Sequence, residues 1–593
     1  MKKSILFSIL CLLAFTLLLP ACKTDPKPQT KKSEITEAYT VVSRLRGEPD
    51  RISPCLTSKA WALQVAAQVF LPLIDFHPNG KMMPVVAKSR PEISEITEGP
   101  FKGGTNYTYE IREEAKWEDG KPVLASDFLF SLKAIMNPKV GGDAAIFRSY
   151  ISVIKDAKID PNNPRKITMS IYPTYIRGEY ISGGIGVLPE HIYDAEGLMS
   201  DVDYKDLADP EKVQQLVKEN ANIQKFGDVF TSDKFSREVV TGCGAYKLEE
   251  WTTGQQLVLK KKDNWWGDAL VDKAPILKAY PDKIIYKFIP DATATISMMK
   301  NGEIDVASQL PNTMFAELLK DESLNEKYYL SSPQMLLYNY LGINNRVPKL
   351  SDKRVRRALA HSIDMDGVIN VIKNGMANPI VGPIPPSAEY YHKGLNKLEL
   401  NLEKAKALLK EAGWKDSNNN GIVDKVIDGQ LEELSIAIMS SPNNFVSENI
   451  ALIFKNNAKK VGIEITLDTK EINLLRSAIR NRDFEMFAAG AGVDLDLYDP
   501  YQSWHTDNAV PGGGNRIGFG TPESDKLIEE IRTTLDENKR NQLYLKFQEM
   551  IYDETPVIFL YNSKDCLAIS KRFEEMPSSV KSPGFFEHYF KLK

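Results

Sequence analysis

One stretch limits this chain more than any other. Ile5 to Leu19 is almost wholly apolar, and no later run is long and apolar enough to span a bilayer. A polytopic transporter is therefore excluded. Lys2 and Lys3 precede it, and Lys23-Thr24-Asp25-Pro26-Lys27 follows it closely. A short apolar core behind a charged start reads as a secretory signal over residues 1–21. The rest has ordinary globular composition, 42% hydrophobic and 26% charged over 593 residues, so a large core can be buried and disorder is not the main state. Lys and Arg number 75 against 79 Asp and Glu, for a net charge of −4. Such a chain lacks the basic excess that phosphate neutralisation needs, so nucleic acid is not an expected partner.

Leu19-Pro20-Ala21-Cys22 resembles the bacterial lipobox, whose Cys is acylated and becomes the new N-terminus. The resemblance makes Cys22 the expected lipidation site and places the protein, lipid-anchored, on the periplasmic or extracytoplasmic face of a bacterial membrane. A plain signal peptide or an uncleaved anchor helix is the alternative. Residues 22–36 are Lys-, Thr- and Pro-rich without periodicity and read as a tether. Beyond Cys11 and Cys22, the cysteines are Cys55, Cys243 and Cys566, enough for one internal disulfide at most. Three buried thiols are the simpler expectation.

From Tyr39 the pattern is globular, with strands and helices interspersed, which indicates an α/β chain of several lobes. Thr105–Ile111 alternates and predicts a strand. Ala125–Met136, after Pro122, carries Phe128, Leu129, Leu132 and Ile135 at helical spacing, with Ser126 or Asp127 as the start signal. Asn401 caps a helix whose apolar face is Leu402, Ala405, Leu408, Leu409 and Ala412, ended by Gly413. Val461, Ile463, Ile465 and Leu467 alternate as a strand. Asp525–Tyr552 predicts two helices parted near Asp536.

Catalytic signatures are missing. There is no Gly-x-Ser-x-Gly elbow, no His-Glu-x-x-His motif and no phosphate loop. The six histidines (His77, His191, His361, His392, His505 and His588) show no metal-ligand spacing. A glycosidase carboxylate pair depends on spatial proximity and leaves no local mark, so a secreted hydrolase stays as a distant alternative. The loop from Asp416 to Asp424 alternates oxygen side chains before Gly421 as calcium loops do, but Ile427 stands where an EF-hand needs Glu. A plain Asn/Gly turn is the better reading, with weak calcium binding the other. No metal and no cofactor are expected.

Separated segments, taken in order, carry a resemblance. Lys116-Trp117-Glu118-Asp119-Gly120-Lys121-Pro122, with Ser126-Asp127-Phe128 and Ser131-Leu132 beyond, is followed by Leu188-Pro189-Glu190-His191 and by Thr241-Gly242-Cys243-Gly244-Ala245-Tyr246-Lys247-Leu248. Trp251, Asn264-Trp265-Trp266-Gly267 and Gly302-Glu303-Ile304-Asp305 follow. Asp352-Lys353-Arg354-Val355-Arg356-Arg357-Ala358-Leu359 and Ile363-Asp364 lead to Asp499-Pro500, Asp525-Lys526-Leu527, Arg540 and Glu554-Thr555-Pro556-Val557. The set is similar to the bacterial extracellular solute-binding proteins of the oligopeptide/dipeptide type, the receptor subunits of ABC importers. Each piece alone reads as scaffold; the ordered set, over about residues 110–560, is specific.

The resemblance implies a two-lobed, type II-like periplasmic-binding-protein fold of the α/β class, with an extra domain inserted in the first lobe. By analogy lobe I is 37–90, 238–337 and 559–593, the insert is 91–237, and lobe II is 338–558. It implies no enzyme activity, but a monomer that takes a short peptide between its lobes and passes it to an ABC permease. An oligosaccharide, a nickel chelate or haem is the alternative solute. In peptide-binding relatives an Asp four residues before a Pro holds the ligand amine. Here that is Asp496, before Pro500, with Asp494 as substitute; Val493 stands where some relatives have Trp. Trp504, Tyr498 and Tyr501 are candidates to line side-chain pockets, although aromatic packing is the ordinary reading. Arg476, Arg480, Arg482 and Arg516 are candidate anchors for a ligand carboxylate, with nothing to choose among them.

Overall fold

The computed structural model describes residues 39–593 except 443, 577 and 580. The signal, the tether and Cys22 lie outside the described residues. Three larger sheets organise the rest. A seven-stranded mixed sheet runs in the order Tyr328–Ser331, Leu567–Ser570, Val306–Ala307, Thr40–Leu45, Lys283–Phe288, Gln256–Lys261, Tyr246–Thr252. A six-stranded sheet runs Ala377–Pro379, Val557–Lys564, Gln334–Ile343, Met486–Gly492, Ser435–Ser440, Glu464–Thr469. A four-stranded antiparallel sheet holds Glu92–Glu95, Thr105–Glu110, Asn163–Ile171 and Ile154–Asp160. The chain passes between the two largest sheets twice, from Tyr328–Ser331 into Gln334–Ile343 and from Val557–Lys564 into Leu567–Ser570. The two crossings run side by side, because Gln334–Ile343 pairs antiparallel with Val557–Lys564.

Local chemistry explains the elements that position the cleft. Helix Ala125–Met136 starts at Leu124, and Asp127 completes its first turn. The buried Asp127 carboxylate accepts from Leu124 N at 2.9 Å, Trp117 Nε1 at 3.2 Å and Glu190 N at 3.1 Å. One side chain thus ties the Trp117 turn, the helix start and the Leu188–Glu190 turn together. Gly242 and Gly244 let the backbone press on the carbonyl of Val69; a Cβ on Gly242 would sit 2.1 Å from that oxygen. Trp265 and Trp266 both donate to the Cys243 carbonyl. Arg356 donates to the carbonyls of Leu350, Ser351, Glu554 and Thr555, which links the Arg-rich helix to the Glu554-Thr555-Pro556 turn. These motifs are scaffold.

Asn401 caps Leu402–Glu411 through Lys404 N, and Gly413 follows in the left-handed region at φ +85°. Helices Pro522–Thr533 and Glu537–Glu554 part at Asp536, which caps the second. The strand expected from Val461 begins only at Glu464. Val461 and Ile463 instead bond back to Ala458 O at the end of helix Phe445–Lys459, around Gly462 at φ +81°. Cys55, Cys243 and Cys566 are buried free thiols. A continuous buried cluster joins Val65 and Phe128 to Tyr338, Trp504 and Phe547. A second core lies around Leu341, Ile436, Phe454 and Ile465.

Candidate functional site

The strand Met486–Gly492 borders Gln334–Ile343 along its whole length. Its other neighbour, Ser435–Ser440, pairs with it only at Met486 and Phe487. Val493 N donates to Leu336 O, so by alternation the peptide groups of Gly490 and Gly492 face the open side. Both glycines are exposed, and a Cβ on Gly492 would meet nothing within 4 Å. An unpaired edge of N–H and C=O groups is a template for another extended chain.

That edge runs into the acidic segment. A cavity of about 510 Å³ is lined there by Arg177, Tyr180, Tyr390, Asp494, Asp496 and Arg540, among others. Ile176 and Arg177 bring a second segment to the cavity wall. Arg177 Nε lies 2.9 Å from Asp496 Oδ2 and Arg177 Nη1 lies 2.8 Å from Asp494 Oδ2. The Arg177 and Asp496 side chains are 7% and 5% exposed, whereas Asp494 is 48% exposed. Ile176 N donates to Arg532 O, and Tyr175 donates its hydroxyl to Asp499, which also receives Arg532 Nε at 3.1 Å. Burial pushes the Asp496 carboxyl up to about 6, although Arg177 draws it down. Burial opposes charge on Arg177 too, but Asp496 and Asp494 outweigh it and hold the guanidinium protonated.

Asp496 and Asp494 are thus brought together at the cleft. Tyr498 and Trp504 are placed elsewhere. Both are buried, Trp504 Nε1 donates to Tyr498 Oη at 2.6 Å, and Trp504 packs on Phe519, Phe547 and Phe559. They do not line the cavity and back the acidic loop instead. Tyr501 stacks under the Arg532 guanidinium at 4.1 Å. Arg476, Arg480 and Arg516 are exposed away from the cavity, and Arg482 donates to the carbonyls of Asn508 and Asn515. Arg177 escaped the sequence reading because its partners lie more than 300 positions away.

The loop from Asp416 is a turn closed on itself. Asp416 accepts from Asn420 N and Gly421 N, and buried Asp424 accepts from Ser417 N and Oγ. Among the described residues no group of three His, Cys, Asp or Glu is arranged to hold a metal.

A two-lobed α/β fold with a polar cleft is an architecture that solute-binding proteins use. The sequence matches the bacterial extracellular solute-binding proteins, family 5 Middle, over residues 81–512, and the chain belongs to that family. It is 25% identical over 478 residues to the oligopeptide-binding protein AppA of Bacillus subtilis, covering 80% of this chain and 78% of that one. The solved structure of AppA from Bacillus subtilis with a nonapeptide superposes with a TM-score of 0.65 at 23% identity, covering 93% and 99% of the two chains. NikA from Brucella suis with Fe(III)-EDTA gives 0.70 at 19% identity, covering 93% and 100%.

Proposed function

We propose that this protein captures short peptides between its lobes and delivers them to an ABC permease, held at the membrane by lipid on Cys22. The observation that carries the reading is the open edge of Met486–Gly492 leading to Asp494 and Asp496. Main-chain hydrogen bonds to an edge hold an extended ligand whatever its side chains, and a carboxylate at the end of the edge receives an ammonium. Asp496 is the amine anchor, with half-exposed Asp494 as the side from which an amine approaches. Arriving ammonium competes with Arg177 for these oxygens, and the lobes open and reclose around the exchange. Tyr498 and Trp504 set the loop rather than touch the ligand. Lobe I is taken as 37–90, 238–337 and 559–593, with the insert at 91–237 and lobe II at 338–558.

Native mass spectrometry of the purified protein tests this directly. Release of intact short peptides, lost on Asp496→Ala, is the expected result. A protein that carries only a sugar or a metal chelate, and ignores peptides in titration, refutes the peptide reading and leaves the fold assignment standing.

A further inference from the structure

We propose that Arg346 and Arg482 form a phosphate site beside the six-stranded sheet, at the end remote from the cleft. The inference does not rest on the peptide reading. Arg482 caps the helix Ile472–Asn481 in the left-handed region at φ +64°, where glycine or asparagine is the usual residue. Its Nη2 donates to the carbonyls of Asn515 at 3.3 Å and Asn508 at 3.4 Å. Arg346 stands just beyond the end of Gln334–Ile343 and donates from Nη2 to the carbonyl of Ala509 at 2.8 Å. A Cβ on Gly518 would collide with the Arg346 Cζ, so the guanidinium lies against that glycine. Two guanidiniums thus converge on one loop, 508–518. Arg482 precedes Met486–Gly492 and Asp494 follows it, so a strand of 7 residues, roughly 20 Å, parts this place from the acidic end of the cleft.

The charges lack a counterpart. Neither arginine forms an ion pair among the described residues; Asp483 is exposed, Asp507 lies near His505, and neither acid comes within ion-pair distance of the two. Burial draws both guanidiniums below their usual value, Arg346 lowers Arg482 further, and no carboxylate raises either. Nε and Nη1 of Arg482 are buried without a partner, and Nε and Nη1 of Arg346 bond to none of the described residues. Two like charges held on one loop without an anion are costly. Unused donors on two guanidinium planes suit a tetrahedral dianion, whereas one plane satisfies a carboxylate. Arg516 on the same loop and Arg480 on the same helix are exposed without ion pairs and add to the positive field. Arg346, Gly512 and Gly514 are exposed, which opens the pair to solvent. The phosphate is either free or part of an anionic lipid headgroup, and both present the same oxygens.

Calorimetric titration of the purified protein at constant ionic strength, with inorganic phosphate and with glycerophosphoglycerol, the deacylated headgroup of phosphatidylglycerol, separates these sources. Saturable binding of inorganic phosphate, weakened at least about tenfold in both Arg482→Gln and Arg346→Gln, is the expected result for free phosphate. The same loss for glycerophosphoglycerol, without a response to inorganic phosphate, assigns the lipid headgroup. Thermal unfolding adds a readout that a merely structural role would not move. Without phosphate each variant should unfold at or above the wild-type temperature, because a like-charge pair is relieved, and saturating ligand should reverse the order. A variant that unfolds below the wild type by the same amount with and without ligand shows that the arginines only tie the loop, and overturns the inference. Failure of the wild type to bind either probe, or binding unchanged in both variants, overturns it as well and leaves the peptide reading standing. Where Arg482→Gln folds poorly, Arg346→Gln decides alone, since that side chain is exposed.

Discussion

Replacing Arg177 with methionine removes the guanidinium that two carboxylates share and keeps much of its apolar stem. Asp496 is left buried without its ion pair, and removing one partner of a buried pair costs about 3–5 kcal/mol. The Asp494 contact adds less than about 1 kcal/mol, because that side chain is half exposed. The penalty must depend on pH, and its sign follows from Asp496. Its folded value of about 6 stands above the ordinary 3.8, so between those values the native state keeps a proton that the unfolded chain has released. Asp496 therefore lowers stability as pH rises through this window, by roughly 3 kcal/mol at about 1.4 kcal/mol per pH unit. Losing Arg177 raises the folded value further. At pH 5 the carboxyl is largely protonated in both proteins, and the variant loses mainly hydrogen bonds, about 1 kcal/mol. At pH 8.5 the wild type is ionised and paired, and the variant should be about 4 kcal/mol less stable. Equilibrium urea unfolding followed by tryptophan fluorescence at the two pH values measures the difference. Equal penalties at both, or one below about 1 kcal/mol at pH 8.5, would falsify the account of Arg177 as the counter-ion of a buried Asp496.

Three further outcomes are expected. Gly492→Pro deletes an N–H on the open side of its strand, where proline is tolerated, so stability should change by less than about 1 kcal/mol while peptide affinity falls tenfold or more; unchanged affinity in titration refutes the edge as a docking line. Asp127→Ala leaves three donors without their acceptor and should cost about 3 kcal/mol in urea unfolding, and a cost under about 1 kcal/mol would show that the carboxylate ties nothing together. Gly242→Ala forces a methyl into the Val69 carbonyl and should lower stability by about 1–3 kcal/mol, whereas a neutral result in thermal unfolding would mean that the backbone there shifts freely.

Local features were legible in the sequence wherever the force that makes them is local. Ala125–Met136, the Asn401 cap and the break at Asp536 each depend on residues within a turn of one another, and each lies where the pattern places it. The Val461 strand was misjudged because alternation cannot tell a strand from the last turn of a helix followed by Gly462. The acidic loop was pointed to by the family resemblance, with Asp496 four residues before Pro500. Its counter-ion was not, because Arg177 becomes a neighbour only when the segment that follows Asn163–Ile171 meets the loop that follows Met486–Gly492. Tyr498 and Trp504 show the reverse case, since aromatic type alone does not distinguish a cleft lining from the packing behind it.

The order of strands in the seven-stranded sheet has a consequence for the timing of folding. Thr40–Leu45, the first of the described strands, has as its partners Lys283–Phe288 and Val306–Ala307, and the place between Val306–Ala307 and Tyr328–Ser331 is filled by Leu567–Ser570. The seven-stranded sheet can therefore be started early but completed only when Leu567–Ser570 arrives, since contacts this distant in sequence form late. Closure of the seven-stranded sheet thus waits on the four-residue strand Leu567–Ser570, which acts as a late clasp between Val306–Ala307 and Tyr328–Ser331.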